Sequence, residues 1–171
     1  GGTIRQNMTR QLFEAYFREQ YSLVYRVAFM QMKRHADAED AAQEVFMRLL
    51  KYQPQFENKE HEKAWFIKTT VNLCRDILKS KWNSTTVSIE KIPEQEKGYF
   101  HLPYMKEDET LWEVLALPEK YRDCLYFFYY EDYSIKEIAK LLGTPENTVK
   151  TNLKRGREKM KKLIKNGRIK I

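Results

Sequence analysis

The sequence predicts an all-α protein: two small helical domains joined by a flexible linker, the C-terminal one containing a helix-turn-helix. Three observations carry this. Apolar residues recur at helical spacing through most of the chain, and no strand-like alternation is sustained in its first third. Residues 83–107 lack a clear period and hold Asn83-Ser84-Thr85-Thr86, Pro93, Gly98 and Pro103, which reads as a linker. The stretch from Ser134 to Arg157 reads as helix, tight glycine turn, helix. Domains over 3–82 and 108–171 follow, and a length of 171 residues suits two small units and a tether.

Composition narrows the class. Hydrophobic residues at 42% can build cores, so a charged fraction of 32% and a mean hydropathy of -0.72 describe a soluble chain rather than wholesale disorder. No apolar run approaches the roughly 20 residues of a membrane span. Gly1-Gly2-Thr3-Ile4-Arg5 lacks the apolar core of a signal peptide, and Gly1-Gly2 without an initiator Met reads as an expression remnant. A cytoplasmic protein is expected. Cys74 and Cys124 stand far apart in helix-like apolar surroundings without metal-type spacing, so both are read as buried reduced thiols.

The elements follow in order. Leu12, Phe13, Tyr16 and Phe17 form an apolar stripe, and Val24, Val27, Ala28 and Met32 continue it in what is read as a second helix. Asp37-Ala38-Glu39-Asp40 places acids in a first turn, where the helix dipole favours them; the helix runs through Val45, Phe46, Leu49 and Leu50 until Pro54 ends it. After a polar stretch from Phe56 to Glu62, a helix from about Lys63 to Trp82 presents Trp65, Phe66, Val71, Cys74, Ile77 and Leu78 as core positions. Beyond the linker, Leu111, Val114 and Leu115 mark a helix, and Pro118 opens the next, with Leu125 and Phe128 inward. Ser134 with Glu137 makes a capping box for a helix whose apolar face is Ile135, Ile138, Ala139 and Leu142. Gly143 stops it, Thr144 caps the last helix with Pro145 in its first turn, and Val149, Leu153 and Met160 face inward.

Charge is distributed unevenly. The 31 basic and 24 acidic residues give +7 and a pI near 9.3, which favours a polyanionic partner. Residues 1–82 and 108–171 each carry net +4, and 83–107 carry net -1. Within the last block, residues 108–149 are net -5 while 150–171 hold 10 basic groups against Glu158 alone. A basic end is therefore attached to an acidic body, and it coincides with the second helix of the helix-turn-helix. In such a motif a first helix props a second in the major groove. Lys150, Lys154 and Arg157 lie at i, i+4 and i+7, flanked by Thr148, Thr151 and Arg155, which puts phosphate donors around groups small enough to meet base edges.

Four segments in order resemble the bacterial extracytoplasmic-function RNA polymerase sigma factors of the sigma-70 family over nearly the whole chain. They are Asp37-Ala38-Glu39-Asp40-Ala41-Ala42-Gln43-Glu44-Val45-Phe46; Ala64-Trp65-Phe66-Ile67-Lys68 through Val71-Asn72-Leu73-Cys74-Arg75-Asp76-Ile77-Leu78; Leu117-Pro118-Glu119-Lys120-Tyr121-Arg122; and Thr148 through Arg157. The resemblance implies docking on the clamp helices of core RNA polymerase through Asp37, Glu39, Asp40, Gln43 and Glu44, with the flap as a further polymerase contact. It implies capture of a promoter minus-ten element by Phe56, Lys68, Asn72, Arg75 and Lys79, with Lys81 adding charge. A minus-thirty-five element would be bound as duplex by Thr148, Lys150, Thr151, Lys154, Arg155 and Arg157. It also implies a linker lying along polymerase channels, no metal or cofactor, and regulation by a membrane-linked anti-sigma factor. Without a nucleophile–base pair, metal cluster or phosphate loop, catalysis would belong to the polymerase. The competing reading is a stand-alone helix-turn-helix transcriptional regulator.

Overall fold

The computed structural model describes residues 8–84, 91–104, 107 and 109–165, with the backbone alone described at 81–84. The expectations for Gly1-Gly2, Thr85-Thr86 and the side chains of Lys81 and Trp82 lie outside the described residues. The chain divides into two compact units, Gly1–Thr86 and Val87–Ile171. Among the described residues there are helices and no strand.

In the first unit, α1 is Arg10–Met32, α2 is His35–Tyr52 and α3 is Lys59–Ser84. The two apolar stripes expected on separate helices lie on one continuous α1, because nothing between Arg10 and Met32 is Gly or Pro. What changes along it is burial. From Leu23 to Met32 nearly every side chain is inside, so the second half of α1 is covered by neighbours on more than one side. Its first half is an outer wall, leaving Leu12 and Phe17 exposed although both were expected to face a core. Thr9 caps the start, its hydroxyl accepting from the Leu12 amide at 3.1 Å, and Lys33 ends the helix in the left-handed region.

On α2, Ala38, Ala41, Ala42, Val45, Phe46 and Leu49 are buried at helical spacing, and Leu50 lies outside that stripe. The ring of Phe46 gathers Phe13, Phe17, Tyr21 and Phe66 at 5.0–6.1 Å. Gln53, at φ 43°, ends α2 one residue before Pro54. Helix α3 begins at Lys59, four residues earlier than expected, because the Asn58 carboxamide oxygen accepts from the His61 amide at 2.8 Å.

In the second unit, α4 is Glu109–Leu115, α5 Glu119–Tyr129, α6 Ile135–Leu142 and α7 Glu146–Lys165. The segment read as a periodless linker carries a 3₁₀ helix over Glu94–Tyr99 and buries Ile92, Phe100 and Leu102. Phe100 meets Trp112 at 5.9 Å and Tyr126 at 6.3 Å, so its second half packs against α4 and α5. Three isolated apolar residues without helical spacing give no periodic signal, which is why sequence reading missed it. On α5, Leu125 is buried as expected and Phe128 only half-buried, while every residue from Tyr121 to Phe127 lies inside, so the helix is covered on more than the one face that Leu125 and Phe128 marked.

The turn chemistry fits the helix-turn-helix. Ser134 and Glu137 make both bonds of the capping box, at 3.1 and 3.0 Å, and Gly143 takes φ 62° to close α6. Pro145 offers its carbonyl to the Val149 amide as α7 begins, while Thr144, expected as the cap, donates its hydroxyl to the Leu142 carbonyl. Gly156 lets α7 lie close against Leu125 and Tyr121 of α5.

Candidate nucleic-acid interface

The second helix of the motif, α7, buries Val149, Asn152, Leu153, Gly156 and Met160 and turns its charge outward. Thr148, Lys150, Thr151, Lys154, Arg155 and Arg157 are all exposed. At 100° per residue, Lys150, Lys154 and Arg157 form one edge of that face and Thr148, Thr151 and Arg155 the other. Between the edges, in the first turn, stands Asn147, also exposed and absent from the expected set. Its carboxamide is a donor and acceptor group able to pair with adenine. Sequence reading passed over it because it adds no charge. The Thr151 hydroxyl donates to the Asn147 carbonyl at 3.0 Å, and the Arg157 guanidinium donates to the Tyr129 hydroxyl at 3.3 Å. The helix is thereby tied to the end of α5.

Beneath this face lies a polar seam. Arg122 pairs with Asp123 at 2.9 Å in the interior, and Asn152 hydrogen-bonds the Cys124 thiol. Burial, then the neighbouring Asp123 carboxylate, push that thiol up to about 11, against the lowering effect of Asn152. Cys74 is also buried, and both cysteines are free thiols, as expected.

In the first unit, Lys68, Asn72, Arg75 and Lys79 follow at intervals of four, three and four, so α3 carries them on one side; Arg75 is half-buried and the other three exposed. Phe56 lies at the N-terminal end of this helix, half-buried. Its ring meets Tyr16, His61, Trp65 and Phe66 at 5.6–6.1 Å, so the loop is anchored through an aromatic cluster. Trp65, read as core, is half-buried and edge-on to Phe66 at 5.1 Å.

The acidity of this loop, unfavourable for holding a nucleic-acid strand, is partly internal. Glu62 is buried, accepting from the Gln20 carboxamide at 2.7 Å, with Lys59 3.6 Å away. Burial first and then Glu62 raise the Tyr16 phenol. Lys59 is raised by its hydrogen bond to Glu19, which reinforces the link from α3 to α1.

On α2, Asp40, Gln43 and Glu44 are exposed, and Asp37 and Glu39 half-buried. Glu39 receives His35 at 2.9 Å, whose other ring nitrogen is 2.7 Å from the Tyr25 hydroxyl; Glu44 is 3.7 Å from Arg48. Burial, then Glu39, raise the Tyr21 phenol. Met47 and Leu50, both exposed, give α2 apolar surface beyond the acids, which the charge pattern alone did not reveal. Among the described residues no acidic or His/Cys group could hold a metal, and no helix is long and apolar enough to cross a membrane.

Comparison with known proteins agrees with this layout. The family model for Sigma-70 region 2 matches residues 12–84, and that for Sigma-70, region 4 matches 113–160. The chain is 33% identical over 142 residues to the RNA polymerase sigma factor SigV of Bacillus subtilis, covering 80% of this chain and 81% of that one. It is 26% identical to the ECF RNA polymerase sigma factor SigW of the same organism, covering 83% of each. Among solved structures, the sigma factor RpoE in complex with the anti-sigma factor NepR from Bartonella quintana superposes with a TM-score of 0.71 at 21% identity, covering 90% of this chain and 96% of that one. CnrH in complex with the cytosolic domain of CnrY gives 0.62 at 16%, with coverage of 92% and 90%. With α2 and α3 falling in the region 2 match and the helix-turn-helix in the region 4 match, the chain belongs to the ECF RNA polymerase sigma factors of the sigma-70 family.

Proposed function

We propose that this chain binds bacterial core RNA polymerase and directs promoter-specific initiation, with residues 3–82 as a region 2-like domain, the start of 83–107 as linker, and 108–171, together with the packed Ile92–Leu102 segment, as a region 4-like domain. The observation that carries this reading is the first unit's combination of an outward acidic patch on α2 with a basic and amide stripe on α3. A stand-alone DNA-binding regulator has no use for the first, whereas an initiation factor needs a protein-facing and a strand-facing surface together.

In this reading Asp37, Glu39, Asp40, Gln43 and Glu44 meet the basic clamp helices of the polymerase, and the second unit meets the flap. Lys68, Asn72, Arg75 and Lys79 track the opened minus-ten strand beside the Phe56 loop. Positive charge follows the phosphates and the amide addresses an unstacked base. Thr148, Lys150, Thr151, Lys154, Arg155 and Arg157 seat α7 on duplex DNA at the minus-thirty-five element. The protein supplies binding energy and strand separation but no reacting group, and bond formation belongs to the polymerase. It acts in the cytoplasm, on the nucleoid when polymerase-bound. Its activity is set by an anti-sigma factor of the kind bound to the RpoE relative, here membrane-linked.

Run-off transcription with core polymerase over a genomic fragment library tests the reading. Discrete promoter-dependent transcripts are expected. Folded protein that yields none overturns it.

A further inference from the structure

We infer that His61 is a positioning residue for the minus-ten strand: it holds the 56–58 loop in the shape that receives a base at the head of the α3 stripe. The inference rests on the proposed role of that loop.

His61 stands seven residues before Lys68, so it falls on the same side of α3 as Lys68, Asn72, Arg75 and Lys79 and occupies the end of that stripe nearest the loop. Its contacts all go to consecutive loop residues. The Glu57 amide donates to its Nδ1 at 3.1 Å, its own amide donates to the Asn58 carboxamide oxygen at 2.8 Å, and its ring meets that of Phe56 edge-on at 5.6 Å. Asn58 also accepts the Glu62 amide on its carbonyl, so the loop and the first turn of α3 are knitted together.

The ring contributes what a cap alone does not. Asn58 fixes where the helix starts, but the Glu57 amide lies before the helix and is held by the imidazole. With that amide committed to Nδ1, the peptide between Phe56 and Glu57 has one orientation, and the loop meets a strand already shaped. Preorganisation of this kind is expressed as base preference rather than as fold stability. The side chain is exposed, so replacing it disturbs little packing.

Two substitutions separate the ring from the acceptor. His61→Phe keeps an aromatic edge for Phe56 and loses the acceptor. His61→Asn loses the ring and keeps an oxygen near the Nδ1 position. The probe is a pool of single-stranded DNA randomised over ten positions, presented to the full chain bound to core polymerase, with sequencing of the retained strands. His61→Phe is expected to lower enrichment of the preferred base at one position by about fivefold, the scale of one hydrogen bond. His61→Asn should stay within about twofold of the parent, and unfolding midpoints of both should match it.

Phe56→Ala serves as the control for the loop. If it weakens selection while His61→Phe leaves it unchanged, His61 is not a positioning residue and the loop assignment stands. If neither changes selection, the loop does not receive the strand and both ideas fall. Loss with His61→Asn equal to that with His61→Phe would also overturn the inference, because the acceptor would then not be the operative group.

Discussion

Gly156 of α7 lies so close to Leu125 of α5 that a Cβ on the glycine would sit 2.8 Å from Leu125 Cδ1 and 3.1 Å from its Cγ, with Tyr121 Cβ at 3.4 Å. Real carbon contacts are longer, so Gly156→Ala must displace a leucine that is 2% exposed. Alanine is the better helix former by about 1 kcal/mol, but overpacking costs about 1–3 kcal/mol, and crowding wins because Leu125 is enclosed. Thermal unfolding of Gly156→Ala should show the second unit melting about 5 °C lower. An unchanged or raised midpoint would mean that Leu125 can move aside.

The same pair shows what the sequence made legible. The helices of the motif, the capping box at Ser134, the Gly143 turn and the outward charge of α7 all follow from local rules of spacing and turn chemistry. Gly156 gave no such signal, because a glycine inside a helix is explained only by what lies opposite it. Other departures share that cause. Leu12, Phe17 and Leu50 are apolar at helical spacing but exposed, since periodicity marks a stripe without saying how much of it a neighbour covers. Phe100 is buried through contacts that no period announces. The early start of α3 was within reach: Asn58 is a good N-cap, overlooked because the surrounding charges read as loop. The candidate site residues could be placed on faces from spacing, whereas the burial of Glu62 and the ring cluster around Phe56 depend on α1 folding against α3.

Asp40→Lys with Glu44→Lys tests the acidic face of α2. Both side chains are exposed, and the Glu44 contact with Arg48 is a surface pair worth less than about 1 kcal/mol, so the fold should tolerate the change. Two reversals opposite a basic helical surface replace attraction by repulsion. Pull-down of core polymerase should fall by at least about tenfold, the size of a 1.4 kcal/mol loss, while affinity for duplex promoter DNA stays within about twofold. Retained polymerase binding would reassign the patch.

Lys154→Ala with Arg157→Ala tests α7. Each cation that neutralises a phosphate contributes a salt slope of about 0.9, so the double variant should bind duplex several-fold more weakly and flatten the log–log salt dependence by nearly 2. Base preference should survive if phosphate contacts alone were removed. Loss of the Arg157 bond to Tyr129 is exposed and should scarcely alter stability. An unchanged slope would mean that α7 does not face the phosphates.

Cys124 gives a pH signature confined to the alkaline side. Burial is the main reason that its thiol stays protonated up to about 11 in the folded chain, against 9.0 for a free thiol. Below the lower value both folded and unfolded chains carry the proton, so the group's contribution is fully present. As pH rises through the interval, the unfolded chain releases the proton first, and linkage draws the equilibrium toward unfolding until the folded thiol also ionises. Tyrosines and lysines titrate nearby, so the informative quantity is the difference from Cys124→Ala. The parent chain should lose unfolding free energy more steeply than Cys124→Ala between about pH 9 and 11 in urea titrations, with parallel curves below that window. Equal slopes throughout would mean that the thiolate is accommodated inside the fold, and iodoacetamide labelling at pH 9.5 should then be fast where the buried thiol predicts slow reaction.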